Sequence, residues 1–376
     1  MRSPAHSPAG PGTARLVPLA TAEVDDALLA AWRALEQVAV EPNPFFAPEV
    51  LLPAVRHLRG GAGVALLVVE RDGELDLAVP VRRERHRRMP LPAATTWRHA
   101  YRYVGTPLVR APALHTAPAA ALALLRTTSA WLVLDDLYLD GTVARAFCGA
   151  VGRTPGGWVV HEVWDRPVVH RHGSSAPTAL RWRKTLRRLR RNLERDLSGV
   201  AVSCDSVRDG DRAGLAADVE AFLALESAGW KGRAGTAITS DPGHAAFFRA
   251  ACERLADHGR LELWKLRVGE RIVARQCNVR AGDTVFHLKT TYDEDLARYS
   301  PGVQLELDLL DAFYDDSRLT HLDSCTDPGP TTSSRLYPHR RRTGVALLGL
   351  RPQGRCAALL TPPAVAAWRW AAVRRR

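Results

Sequence analysis

Lysine is nearly missing from this chain: of its 52 basic residues, only Lys184, Lys231, Lys265 and Lys289 are lysines. An Arg- and Ala-rich, Lys-poor composition reflects a GC-rich genome, so arginine abundance alone assigns no function. Long apolar runs are missing too. A membrane helix needs about 18 apolar residues in a row. The nearest candidate, 357–373, is broken by Pro362, Pro363 and Arg369, and no transmembrane segment is expected. The opening MRSPAHSPAGPGTAR has no apolar core of a signal peptide, and residues 1–14 read as a disordered tail. Cysteine is sparse. Cys148, Cys204, Cys252, Cys277, Cys325 and Cys356 form no CxxC and make no zinc-finger spacing with histidine. That argues against a metal-stapled module and fits a reducing cytoplasm.

What remains is ordinary globular material. At roughly 150 residues per domain, 376 residues predict two domains. A hydrophobic share of 46% with 24% charged residues excludes disorder as the dominant state. The net charge of +12 favours anionic partners: a phosphorylated cofactor, an acidic carrier protein, RNA or a membrane surface.

Hydrophobic periodicity orders the elements. Residues 23–39 are helical, Pro42, Pro44 and Pro48 force a loop, and 64–70 with 75–82 make a hairpin around Asp72-Gly73. Helices at 117–125 and 142–151 alternate with strands at 131–134 and 158–164. HGSSAP (172–177) reads as a linker. A basic helix follows at 181–197, with Trp182, Leu186, Leu189, Leu193 and Leu197 on its apolar stripe. Then come a strand (200–207), helices (212–228 and 244–258), three strands (261–268, 271–280, 284–292), a helix from Pro301, and short strands at 320–325 and 345–350. The second half repeats the element order of the first, which predicts a tandem α/β (α+β) architecture.

Four segments carry candidate chemistry. Glu226 to Gly232 ends a helix, with Gly229 suited to a left-handed cap and Glu226, Trp230, Lys231 and Gly232 in a loop. In Lys289–Gln304 a strand runs through Tyr292 and Asp293 to a helix opened by Ser300-Pro301-Gly302, with Ser300 as N-cap. Such a helix start presents free N–H groups and a positive dipole end to a phosphate. Asp323 and Cys325 end a short strand and point the same way. The basic helix 181–195 is either a solvated face or a phosphate or carrier-protein contact. Aromatic interleaving for stacking bases is absent, which makes nucleic acid an unlikely partner.

Taken jointly, these segments resemble the GNAT-type acetyltransferase domain of the CelD/BcsL (cellulose-biosynthesis-associated) group. The matching pieces are Arg191-Asn192-Leu193, Glu226…Gly229-Trp230-Lys231-Gly232, Tyr292-Asp293…Ser300-Pro301-Gly302, Asp323…Cys325 and Arg340–Arg342, over roughly 178–350. The resemblance implies two tandem GNAT-like domains related to Fem-type aminoacyl transferases. Each is a mixed, largely antiparallel sheet flanked by helices. The expected division is 15–172, a linker at 173–180, an acyltransferase domain at 181–352, and a C-terminal tail or helix at 353–376.

The implied activity is N-acyl transfer from acetyl-CoA or another acyl-CoA to an amine, without a metal. Gly302 is the lone glycine of a loop that is glycine-richer in GNAT enzymes, which leaves an acyl-carrier protein phosphopantetheine open as donor. Lys289, Ser300, Pro301, Gly302, Val303 and Gln304 are the expected donor site. Trp230, Lys231, Gly232 and Cys325 are expected on the acceptor side. Removing a proton from the amine calls for a base, with Glu226, Asp293 and Asp323 as candidates and Tyr292 and Tyr337 as candidate acids. The alternatives are a Fem-like transferase using charged tRNA, or a catalytically silent GNAT-fold binding protein.

Overall fold

Apolar strands such as Leu66–Val69 and Trp131–Leu134 are buried on both faces, and such strands need helices above and below them. The computed structural model describes residues 12–20, 24–85, 91–171, 179–197, 202–207, 212–326, 329 and 332–361. Residues 1–11 of the expected tail, 173–178 of the expected linker, the side chain of Trp182 and the end of the chain from 362 lie outside the described residues.

In chain order the first half forms β1 (Thr13–Pro18), α1 (Asp26–Val38), α2 (Pro48–His57), β2 (Val64–Arg71), β3 (Glu74–Glu84), β4 (Ala93–Thr96), β5 (Leu108–Val109), α3 (Ala117–Thr128), β6 (Trp131–Tyr138), α4 (Thr142–Val151) and β7 (Trp158–His170). The second half forms α5 (Ala179–Asp196), β8 (Val202–Val207), α6 (Arg212–Ala228), α7 (Trp230–Arg233), α8 (Pro242–Asp257), β9 (Leu261–Val268), β10 (Arg271–Ala281), β11 (Thr284–Tyr292), α9 (Pro301–Asp315), β12 (His321–Asp323), α10 (Thr332–Leu336) and β13 (His339–Gly349).

The strands build one sheet in the order β1-β2-β3-β4-β6-β13-β7-β12-β11-β10-β9-β8, with β5 beside β3. It is mixed and mostly antiparallel. The parallel pairs are β4 with β6 and β11 with β12, one in each half. The expected division at 173–180 is crossed by this sheet. Strand β13, from the end of the chain, lies between β6 and β7, and β7 in turn pairs with β12 of the second half. The largest apolar cluster likewise joins Trp32, Phe45 and Leu134 to Phe222, Phe248 and Phe286.

Three local expectations are corrected. Thr13 and Ala14, read as tail, pair with Val69 and Glu70 in the sheet. Pro48, read as part of a loop, opens α2 at its first position, where a missing N–H costs nothing. Gly229 is extended (φ −85°, ψ −169°) and starts α7 rather than closing α6 in a left-handed turn. The segment Trp230–Arg233, read as loop, is that short helix.

The basic helix α5 forms as its apolar stripe requires. Leu186 and Leu193 are buried, Leu189 and Leu197 are partly so, and all four pack on the second-half core. Arg183 and Arg190 turn inward to Asp311 and Asp308 of α9. Lys184, Arg187, Arg188, Arg191 and Arg195 stay exposed.

Candidate active site

The parallel pairing of β11 with β12 is short. It joins Thr284–Phe286 to His321–Asp323 and stops, while β11 runs on to Tyr292. The two strands part beyond Phe286, and a cavity of about 440 Å³ opens there. Its walls are His287–Thr290 and Tyr292 of β11, Ser300–Val303 and Glu306 at the start of α9, Ser324–Thr326 after β12, Ser333 of α10, and Tyr103 from the first half.

A bulge in β11 decides which side chains face α9. Asn278 of β10 is opposite His287, and Cys277 is opposite Lys289, so Leu288 is an extra, unpaired residue. Gln276 then stands opposite Thr290. Gln276 and Asn278 share a face, as their side-chain hydrogen bond of 3.1 Å shows. His287 and Thr290, three apart, therefore also share that face, and Thr290 lies 2.6 Å (Oγ1) from His287 Nε2. On the far side of the imidazole, Nδ1 is 3.3 Å from Oε2 of Glu306, off the line of a straight hydrogen bond. The Tyr337 hydroxyl donates to the other Glu306 oxygen. Burial opposes the charge on Glu306, but His287 beside it, with hydrogen bonds from Tyr337 and Gln276, holds the carboxyl below its ordinary value.

Two wall residues are in the left-handed region without being glycine, Ser300 (φ 54°) and Cys325 (φ 50°). Ser300 precedes α9 but makes no side-chain cap, contrary to the N-cap expectation, because in this conformation its carbonyl rather than its hydroxyl receives the N–H groups of Val303 and Gln304. Pro301 has no N–H, so among the described residues Gly302 is left as the donor of the first turn without a carbonyl on it. A Cβ on Gly302 would sit 3.3 Å from the Tyr292 ring. Cys325 is held in its turn by Asp323, whose Oδ1 accepts from the Cys325 N–H at 2.7 Å. Burial, then the Asp323 charge, pushes the Cys325 thiol well up, which keeps it a poor nucleophile.

The cavity gathers Lys289, Tyr292, Ser300, Pro301, Gly302, Val303 and Cys325 among the sequence-expected residues. The others stand elsewhere. Glu226 is buried, with Lys231 Nζ on one oxygen at 2.7 Å and the Ile238 N–H on the other at 2.8 Å. Asp293 pairs with Arg271 and caps the turn that follows it. Asp323 accepts from the Tyr138 hydroxyl at 2.7 Å as well as from Cys325. Tyr337 is buried under Glu306, and burial raises its hydroxyl far above the ordinary value. Gln304 donates to the Tyr299 carbonyl at 2.8 Å. Trp230 is 53% exposed, with its N–H on Glu294. Gly232 is where a Cβ would strike the Ser227 carbonyl. The three carboxylates read as bases are thus each committed to structural partners and absent from the cavity wall. His287, Glu306, Thr290, Ser324, Thr326, Ser333 and Tyr103 were not foreseen. Strict alternation along β11 sets His287 and Thr290 on opposite faces, and the bulge that reunites them has no sequence signal.

The first half makes the same parallel pairing, Ala93–Thr95 with Trp131–Val133, but its opening is filled. The buried Arg102 guanidinium donates to the Asp135 carbonyl at 3.0 Å and to Asp136 at 2.8 Å. Among the described residues no group of three His, Cys, Asp or Glu is placed to hold a metal, and no helix is long and apolar enough to cross a membrane.

Residues 181–330 match the family model described as an acetyltransferase (GNAT) domain. No curated protein matches the chain in sequence. Among solved structures, a conserved protein of unknown function from Bacteroides thetaiotaomicron is 12% identical, with a TM-score of 0.53 over 85% of this chain and 97% of that one. FemX is also 12% identical, with a TM-score of 0.52 over 85% and 95%. The C-terminal domain of a putative lysylphosphatidylglycerol synthetase from Agrobacterium fabrum is 11% identical, with a TM-score of 0.52 over 90% and 95%. These likenesses are of fold. The family match is what bears on the chemistry: residues 181–330, two fifths of the chain, are similar to a GNAT acetyltransferase domain, and the chain is an acyltransferase.

Proposed function

We propose that this chain moves an acyl group from a pantetheine thioester, acyl-CoA before acyl-carrier protein, to the amine of a small-molecule or peptide acceptor. The resemblance to the CelD/BcsL group belongs to this reading, as do a cytoplasmic location and the division into two GNAT-like domains. One observation carries it. Lys289 and Ser300–Val303, five of the six residues read from the sequence as a donor site, line one cavity with the candidate acid Tyr292 where β11 and β12 part. The strand edge freed there suits the amide groups of a pantetheine arm. The open N–H of Gly302 and the dipole of α9 favour a phosphate by ~0.3–1 kcal/mol when exposed and up to ~2 when partly buried. The arginine-filled opening of the first half supports a single donor site per chain.

Thermal-shift measurements with acetyl-CoA, longer acyl-CoAs, free CoA and charged tRNA test this. A donor at 100 times its dissociation constant adds ~2.7 kcal/mol of stability. Gly302→Asp, which puts bulk and negative charge at the mouth, abolishes that shift without unfolding the chain. Stabilisation by CoA that survives Gly302→Asp moves the donor elsewhere.

A second reading, aminoacyl transfer from charged tRNA, is favoured by the exposed Arg187, Arg188 and Arg191 of α5. Stabilisation by tRNA but by no CoA species selects it.

A further inference from the structure

We propose that Thr290, His287 and Glu306 form the proton relay of the acyl transfer: His287 is the base, the Thr290 hydroxyl is its contact with the acceptor amine, and Glu306 positions the imidazole. This rests on the acyl-transfer reading above. The geometry is that of an activated hydroxyl, with the hydroxyl on one imidazole nitrogen and a carboxylate beside the other. Thr290 Oγ1 is 2.6 Å from Nε2, and Glu306 Oε2 is 3.3 Å from Nδ1. In this relay the proton sits on Nδ1, beside the Glu306 carboxylate, and Nε2 is the acceptor. The groups packed around the imidazole are few and known: Glu306 from α9, with Tyr337 on its other oxygen, and Gln276 and Asn278 from β10. Cys325, whose sulfur faces the His287 backbone N–H, lines the same cavity with Ser324, Thr326 and Tyr103, and Lys289 and Tyr292 lie along β11. None of the carboxylates first considered as bases lines that cavity.

The step balances with no further reactant. The acceptor arrives as its ammonium form and gives one proton to Thr290 Oγ1, which passes its own to His287 Nε2. The neutral amine then forms its bond to the thioester carbonyl carbon. As the carbon–sulfur bond breaks, the second nitrogen proton goes to the departing sulfur, and the imidazolium releases the first to solvent. The products are an amide, a free thiol and one proton.

The test compares two nucleophiles on the full-length chain with acetyl-CoA as donor. One is the acceptor amine found in an amine panel, which is protonated at neutral pH and needs a base. The other is hydroxylamine, which is largely unprotonated there. His287→Gln and Thr290→Val are expected to slow transfer to the amine by about 10²–10⁴-fold, while donor affinity by calorimetry and transfer to hydroxylamine stay within about tenfold. Thr290→Ser, which keeps the hydroxyl, loses much less than Thr290→Val. Glu306→Gln slows the amine reaction less than His287→Gln. In the free protein it also removes the Nδ1–H tautomer of His287 from its ¹⁵N spectrum. Equal losses with both nucleophiles mean that these side chains only shape the cavity, and they overturn the relay. So does a wild-type rate for His287→Gln, or an acyl ester trapped on Thr290, which makes that hydroxyl the nucleophile. Should His287→Gln not fold, Thr290→Val and Glu306→Gln carry the comparison. A wild-type chain that releases no thiol from any donor sinks the acyl-transfer reading instead, so the two failures are told apart.

Discussion

At the scale of single residues, the carboxylates of this chain divide by their partners. Glu226 is charge-paired and hydrogen-bonded on both oxygens, a commitment that a sequence cannot display. Its neighbours Trp230 and Lys231 suggested a catalytic base beside an acceptor. The structure instead uses the side chain to tie α7 to the Ile238 turn. Glu226→Gln turns an N–H toward either the Lys231 ammonium or the Ile238 N–H, where a donor now meets a donor. A stability loss of about 1–3 kcal/mol is expected in chemical denaturation, with kcat close to wild type. A folded, stable variant with turnover lost would return Glu226 to the chemistry. Cys325 shows the opposite case: it lines the cavity as expected, yet its thiol is raised by burial and its left-handed backbone is held by Asp323.

At the scale of elements, periodicity does most of the work and fails where one residue shifts it. The bounds of α4, α6, β9 and β11 coincide with the apolar patterns that announced them. In contrast, β13 begins at His339, six residues before the strand read at 345–350, because Arg340–Arg342 show no apolar alternation and become strand only by pairing with β7. The Ser300–Val303 wall of the candidate site was legible because Ser-Pro-Gly marks a helix start. The His287–Thr290–Glu306 half was not, because it needs a bulge in β11 and a helix one strand-length away. Helix α5 was legible over its described side chains: an apolar seam of Leu186, Leu189, Leu193 and Leu197 on the core and an exposed row of Lys184, Arg187, Arg188, Arg191 and Arg195. Reversing charge at Arg187, Arg188 and Arg191 leaves the seam untouched, so the melting temperature should hold. Affinity for an acidic carrier protein or tRNA should fall, most at low salt, where screening is weakest. Binding that is unchanged at every ionic strength leaves α5 a solvated face.

At the scale of the whole molecule, the exchange of β13 and β7 makes the two halves one structure, and histidines gather at that seam. His170 of β7 is the register partner of His321 of β12, and their rings meet edge to face at 4.7 Å. The His170 N–H donates to Nδ1 of His339 on β13 at 3.0 Å. Three adjacent strands therefore each place an imidazole at one spot. Burial, then His321 and His339, with Arg341 adding to them and Asp140 opposing, lowers the His170 pKa from 6.5 to about 4. The native state thus resists a proton that the unfolded chain accepts. The contribution of His170 to stability is whole above pH 6.5 and is lost as pH falls toward about 4. His170 is partly solvated, so the loss is smaller than the shift alone implies. Unfolding curves between pH 7 and about pH 4.5 should show stability falling on acidification, with faster amide exchange in β7, β12 and β13 before the rest of the sheet. His170→Asn removes the titrating ring and should flatten that slope while leaving the neutral-pH exchange pattern in place. A variant with the wild-type slope would place the acid-sensitive group elsewhere and leave the seam held by its strand pairing alone.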